Sequence, residues 1–193
     1  MKCYLDITLL PNADIGLYFL WEKTYQQLHL ALVEVQDANK QVKVGVSFPE
    51  YNGKRFNLGG KLRLFASSTN ELEAVNINKW LSRLSDYIHI TSIRAVPDKV
   101  KGYAHYSRVN KRKSNAEKAR RNAECHNASY KQALEKLKGR NEELSKAPFI
   151  YMKSLSSGQR FRLLIEKVDV DKAGSKEVFS TYGLSSISTV PIF

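Results

Sequence analysis

The sequence predicts an α+β protein: an N-terminal ferredoxin-like (RRM-like) βαββαβ domain over residues 1–97, then an α/β domain built around a basic helix over residues 98–193. Three observations predict it. Up to Pro97 the hydrophobic pattern alternates between period two and period 3.6, in the order strand, helix, strand, strand, helix, strand. Pro11, Pro49 and Pro97 close three of the strands. Beyond Pro97 the composition turns abruptly cationic.

Residues 2–10 alternate Cys3, Leu5, Ile7 and Leu9 against Lys2, Tyr4, Asp6 and Thr8, which reads as a strand with one face buried, ended by Pro11 and Asn12. From Ile15 to Val35 the positions Leu17, Leu20, Thr24, Leu28, Ala31 and Val35 recur at steps of three and four, as on one face of a long helix. A second strand runs from Val42 to Phe48. A turn-rich loop with Asn52-Gly53 and Gly59-Gly60 leads to a third, Lys61 to Ala66. Ser68 or Thr69 caps a second helix reaching about Tyr87, with Leu72, Val75, Trp80, Leu81 and Leu84 as its apolar face. Ile88 to Val96 is the fourth strand. Right-handed crossovers turn this order into a four-stranded sheet with two helices on one face, an arrangement shared with RNA-recognition modules.

The chain has 193 residues, 42% hydrophobic and 26% charged, enough to bury an ordinary core. Its 31 Lys and Arg against 19 Asp and Glu leave a net charge of +12, so an anionic partner is the first expectation. No stretch approaches the ~18 apolar residues of a membrane-spanning helix, which predicts a soluble protein with no membrane partner. Cys3 and Cys125 lack the spacing of a disulfide framework or zinc site, which suits a reducing cytoplasm. The charge is concentrated: residues 99–121 carry nine Lys or Arg against Glu117 alone, +8 of the total. Ser114-Asn-Ala-Glu117 has the form of a capping box, placing Lys111 to Lys113 before a helix and Lys118, Arg120 and Arg121 in its first turns. The helix is expected to run to Lys138, packing its lower half by the narrow stripe Ala133, Leu134 and Leu137. Strand-like runs Phe149–Met152 and Phe161–Ile165 then flank a turn at Ser156-Ser-Gly-Gln159, and a short strand Val178–Tyr182 precedes Gly183.

Metal chemistry finds no support in the pattern: the histidines at 29, 89, 105 and 126 are scattered, and Asp169-Val-Asp171 lacks the later ligands of a calcium loop. Gly60-Lys61-Leu62 lacks the rest of a phosphate-binding loop. A basic segment is often only a solvated helix face. A net +8 over residues 99–121 beside a capped helix is denser than solubility requires, and favours nucleic acid. A thin arginine-rich helix can lie along the deep, narrow groove of duplex RNA that single side chains seldom read, so a hairpin is a sensible ligand. His29 falls on the flank of the first helix's apolar face, next to Tyr25 and Leu32. Taken alone, such a histidine is commonly a packed or surface residue. RNA, however, carries its own nucleophile in the 2′-hydroxyl, and a base titrating near pH 6.5 can remove that proton without a metal.

Eight stretches, in order along the whole chain, resemble the type I-F CRISPR repeat endoribonuclease family. They are Tyr4-Leu-Asp-Ile7, Leu28-His29, Gly45-Val-Ser-Phe-Pro49, Ser107-Arg-Val109, Lys113-Ser-Asn115, Ser157-Gly-Gln-Arg-Phe-Arg-Leu163, Tyr182-Gly-Leu-Ser185 and Val190-Pro-Ile-Phe193. The resemblance implies cleavage of the CRISPR precursor transcript 3′ of a repeat stem-loop without metal or cofactor, leaving a 2′,3′-cyclic phosphate or 3′-phosphate. It also implies retention of the RNA hairpin within the type I-F surveillance complex alongside that complex's other subunits.

Carried over by motif, His29 resembles the general base, Ser154 the hydroxyl that holds the reacting nucleotide, and Tyr182 the residue that orients the histidine. Arg108 and Asn110 match positions that read the base of the stem, with Asn110 where a glutamine is familiar; an amide pairs well with adenine. Phe161 resembles an aromatic that stacks on a base. Arg112, Lys113, Ser114, Lys118, Arg120 and Arg121 are the expected RNA contacts of the basic helix, although Asn122, Cys125 and His126 stand where the family continues with arginines. An alternative is a non-catalytic RNA-hairpin-binding subunit of a ribonucleoprotein. A third reading, a binder of bulk nucleic acid, predicts equal affinity for any duplex and dominance by salt.

Overall fold

The computed structural model describes residues 1–53, 57–109, 115–126, 129–137 and 147–193. They divide into two compact units, one formed by Met1–Arg108 with Ala147–Phe193, the other lying within Val109–Lys146.

The first unit begins with β1 (Cys3–Leu9), α1 (Leu17–Glu34), β2 (Gln41–Val42), β3 (Gly45–Ser47) and β4 (Lys61–Ala66). Then come α2 (Thr69–Val75), α3 (Ile77–Trp80), a 3-10 segment Ser82–Tyr87, β5 (Ile88–Ile90) and β6 (Arg94–Ala95). The main sheet has the order β3-β4-β1-β5, with β6 also on β1 and every resolved pairing antiparallel. That is the ferredoxin-like order the sequence predicts. After β7 (Gly102–Val109), the strands β8 (Phe149–Lys153), β9 (Arg160–Val170), β10 (Phe179–Ser180) and β11 (Val190–Ile192) complete the unit. A second sheet has the order β11-β7-β9-β8, and β10 pairs with β2.

Helix α1 joins the two sheets. Leu20, Trp21, Thr24, Tyr25, Leu28, Ala31 and Leu32 are buried, and the helix packs against β1, α2 and α3 and also against β8. Each large apolar side chain buried this way stabilises the fold by roughly 1.5–3 kcal/mol.

Several expected elements are subdivided. The strand Val42–Phe48 splits because Val42 pairs with Phe179 of β10 whereas Gly45 to Ser47 pair with β4. The second helix stops at Asn76, which adopts the left-handed conformation (φ 47, ψ 48) and restarts the chain as α3; a short amide side chain tolerates that region better than most residues. Its start is as expected, with Glu71 Oε2 accepting from the Ser68 amide at 3.1 Å. The fourth strand is interrupted at Thr91, whose Oγ1 accepts from the Asp6 amide at 3.0 Å. β1 departs from one-sided burial: Tyr4 and Asp6 are buried as well as Cys3, Leu5 and Ile7. Tyr4 packs edge-on against Phe193 at 5.0 Å, and Asp6 is bound by Arg63 from the neighbouring strand.

In the second unit α4 (Asn115–His126) packs against α5 (Tyr130–Glu135), with Ala119 and Ala133 buried. The basic helix is therefore shorter than expected: Ser129 is extended and begins a separate helix. The capping residue Ser114 lies outside the described residues.

Candidate active site

His29 is half-buried on the flank of α1, one residue after the fully buried Leu28. Its Nδ1 lies 2.9 Å from the Thr181 carbonyl oxygen. Its ring is stacked on Tyr182, with centroids 4.2 Å apart and planes 3° from parallel. One turn earlier on the helix, Tyr25 donates its hydroxyl proton to the Tyr182 carbonyl at 2.8 Å. Burial, with a smaller contribution from Tyr182, pushes the Tyr25 phenol far above its ordinary titration range, so it remains a donor.

The segment carrying Thr181 and Tyr182 is fixed from below. Gly183 adopts φ +70, and its amide donates to Ser180 O at 2.7 Å. A Cβ on Gly183 would come within 2.4 Å of Val46, so a side chain is excluded there. The Gly183 carbonyl in turn accepts from the Val46 amide at 3.0 Å, tying the turn to β3.

Arg108, at the end of β7, places its guanidinium 5.8 Å from the Tyr182 ring centre and 5.4 Å from that of Phe161. Arg108 thus contacts the rings of both Phe161 and Tyr182, and Tyr182 in turn carries His29 on its face. Phe161 comes from β9, Arg108 from β7, Tyr182 from the turn after β10 and His29 from α1.

Ser154 sits in the turn between β8 and β9. Its amide donates to Gln159 O at 2.9 Å and its carbonyl accepts from Gly158 at 2.8 Å. Its Oγ is 3.1 Å from Ser156 Oγ and accepts from the Ser157 amide at 3.3 Å. Its hydroxyl is therefore held within its own turn. The turn is linked to α1 through Lys153, whose amide donates to Gln26 Oε1 at 3.0 Å.

Of the other expected contacts, Arg120 and Arg121 are exposed on α4, and Lys118 lies on the same helix. Asn110, Arg112, Lys113 and Ser114 lie outside the described residues. The sequence reading did not find Thr181, Tyr25 or Gln26. Thr181 acts through its backbone carbonyl and has no side-chain signature, whereas Tyr25 and Gln26 were open to discovery as the helical neighbours of His29 at steps of four and three.

A carbonyl oxygen only accepts hydrogen bonds, so the Nδ1 facing Thr181 carries a proton, and whenever the ring is neutral its lone pair is on Nε2. Such a ring is a proton acceptor held at a fixed angle. Among the described residues no three His, Cys, Asp or Glu side chains group as a metal would require, and no helix is long and apolar enough to cross a membrane.

Fold and site together define a basic, ferredoxin-like protein with an oriented histidine beside an arginine–aromatic platform. Residues 4–193 match the family model described as CRISPR-associated protein (Cas_Csy4), and the chain belongs to that family. It is similar to the CRISPR-associated endonuclease Cas6/Csy4 of Escherichia coli, 35% identical over 193 residues, covering 100% of both chains. It is also similar to the CRISPR-associated endonuclease Cas6/Csy4 of Pseudomonas aeruginosa, 34% identical over 194 residues, again covering 100% of both.

Proposed function

We propose that this chain is a metal-independent endoribonuclease that cuts CRISPR precursor RNA on the 3′ side of the repeat stem-loop. It then stays on the hairpin at the 3′ end of the mature crRNA, among the other subunits of a type I-F surveillance complex in the cytoplasm. The observation that carries this reading is the His29 ring, fixed by the Thr181 carbonyl and the Tyr182 face with Nε2 left as its base.

In this mechanism Nε2 takes the proton of the 2′-hydroxyl. The 2′-oxygen attacks the adjacent phosphorus, the bond to the 5′-oxygen breaks, and the products are a 2′,3′-cyclic phosphate and a 5′-hydroxyl. A proton taken up by the leaving 5′-oxygen balances the step. The Ser154 hydroxyl holds the reacting nucleotide, and Tyr182 keeps the imidazole in the plane that presents Nε2. Arg108 and Asn110 read the base of the stem, and Phe161 stacks on a base. Arg112, Lys113, Ser114, Lys118, Arg120 and Arg121 grip the hairpin along its groove. Residues 1–97 contribute the base, and residues 98–193 the RNA-reading surface with the remaining site residues.

A cleavage assay in EDTA tests the proposal, comparing wild type with His29→Ala on labelled hairpin RNA from the host's own repeat. A single cut at the 3′ base of the stem by wild type, with binding but no cutting by His29→Ala, is the expected result. Tight binding by wild type without cutting would make the chain a hairpin-capping subunit.

A further inference from the structure

We infer that Gln26 and Glu22 are positioning residues, a clamp on α1 that sets the β8–β9 hairpin, and with it Ser154, at a fixed place relative to His29. The inference rests on the proposed roles of Ser154 and His29.

Glu22, Gln26 and His29 are spaced by four and three residues, so they form one stripe along α1. β8 is the edge strand of its sheet, and the Lys153 amide points away from β9 toward that open edge. An edge amide ordinarily faces water. Here it donates to Gln26 Oε1 at 3.0 Å, one residue before Ser154. Across the ladder Lys153 pairs with Arg160, the first residue of β9. Arg160 is ion-paired with Glu22, and its guanidinium lies 4.1 Å from the centre of the Tyr151 ring. Both stems of the turn that holds Ser154 are therefore fastened to the same helical stripe, in the two turns leading to His29.

The second observation is an energetic anomaly. Because Gln26 turns its oxygen to Lys153, its amide nitrogen points elsewhere, and that Nε2 is buried without a hydrogen-bond partner. A buried donor left without a partner destabilises a fold. Methionine has similar length and no such donor, so packing alone gives no reason for glutamine. What glutamine supplies is the acceptor that fixes the hairpin. Displacing a catalytic group by ~1 Å lowers rates by ~10².

The clamp predicts opposite changes in rate and stability. Gln26→Met should cut hairpin RNA roughly tenfold or more slowly at saturating protein in single turnover. Its hairpin affinity should stay within about twofold of wild type, and its melting temperature should be unchanged or raised, because the orphan donor is gone. Gln26→Glu, which retains an acceptor for Lys153, should cut faster than Gln26→Met. A Gln26→Met variant that cuts at the wild-type rate overturns the proposal, as does one whose rate falls only in step with affinity and melting temperature. If wild type does not cut at all, the functional reading fails, and hydrogen exchange at the Lys153 and Ser154 amides decides the clamp separately. Faster exchange in Gln26→Met than in wild type supports it; equal exchange overturns it.

Discussion

The His29 and Tyr182 rings lie 4.2 Å apart and within 3° of parallel, while the carbonyl of Thr181, the preceding residue, holds the histidine's Nδ1. A single turn of chain thus fixes both the plane of the imidazole and its tautomer. The face of Tyr182 supports the ring, and no hydrogen bond from the Tyr182 hydroxyl to His29 takes part. Tyr182→Phe should therefore keep its single-turnover cleavage rate within a few-fold of wild type, whereas Tyr182→Ala should lose about 10–100-fold with little change in hairpin affinity. Rapid-quench cleavage at saturating protein compares them, and equal losses in both variants would assign the effect to the hydroxyl instead.

Tyr25 supports the same turn from beneath through its bond to the Tyr182 carbonyl. Tyr25→Phe leaves that carbonyl without its donor and should lower stability by about 1 kcal/mol at pH 7 in urea unfolding. The sign of its pH dependence follows from burial. The phenol is pushed upward in the folded chain, so its contribution is complete below the unfolded value near pH 10 and is lost above it. The gap between wild type and Tyr25→Phe should accordingly narrow as pH rises past about 10, at up to ~1.4 kcal/mol per unit, and close or reverse within about one unit.

Arg63 anchors the opposite side of the main sheet. It binds Asp6 with two hydrogen bonds, 2.6 and 3.1 Å, and its guanidinium lies 4.7 Å from the Tyr4 ring centre and 4.1 Å from that of Phe193. Both charged side chains are about nine-tenths removed from solvent, at 11% and 10% exposure. Arg63→Met strands the Asp6 carboxylate and should destabilise the protein by roughly 3–5 kcal/mol. The double change Asp6→Leu with Arg63→Met should recover most of that loss, as a double-mutant cycle would measure.

Asn76 carries the break between α2 and α3 in a left-handed conformation. Asn76→Ala should destabilise by about 1 kcal/mol, because alanine enters the left-handed region less readily than asparagine. Asn76→Gly should stay within a few tenths of wild type. Chemical denaturation distinguishes the two, and equal effects would place the break in the packing of Leu72 and Ile77 instead.

Much of this protein was legible in the order of its residues. The alternation Cys3, Leu5, Ile7, Leu9 and the three- and four-step recurrence of Leu20, Thr24, Leu28 and Ala31 are local patterns, and local patterns set strand or helix and which face turns inward. Their succession, with handed crossovers, leads to the β3-β4-β1-β5 order. His29 and Tyr182 were legible as candidates by motif, and the cationic segment by composition alone. The strands Gly102–Val109 and Val190–Ile192 were not read as such, since each is completed by pairing with the other, nearly ninety residues away.

Tertiary structure alone decided the rest. The second buried face of β1 exists because Arg63 and Phe193 cover it, and neither lies near β1 in sequence. The Thr181 carbonyl is chemically like every other carbonyl in the chain; only the turn at Gly183 brings it to Nδ1. Arg108 lies between Phe161 and Tyr182 because two separate strands and the turn after β10 converge there. Hydrophobic periodicity is a property of neighbours along the chain, whereas a site is made of groups distant in sequence whose distances are set by packing. The sequence therefore determined the elements and the chemistry available, and the tertiary structure decided which atoms meet.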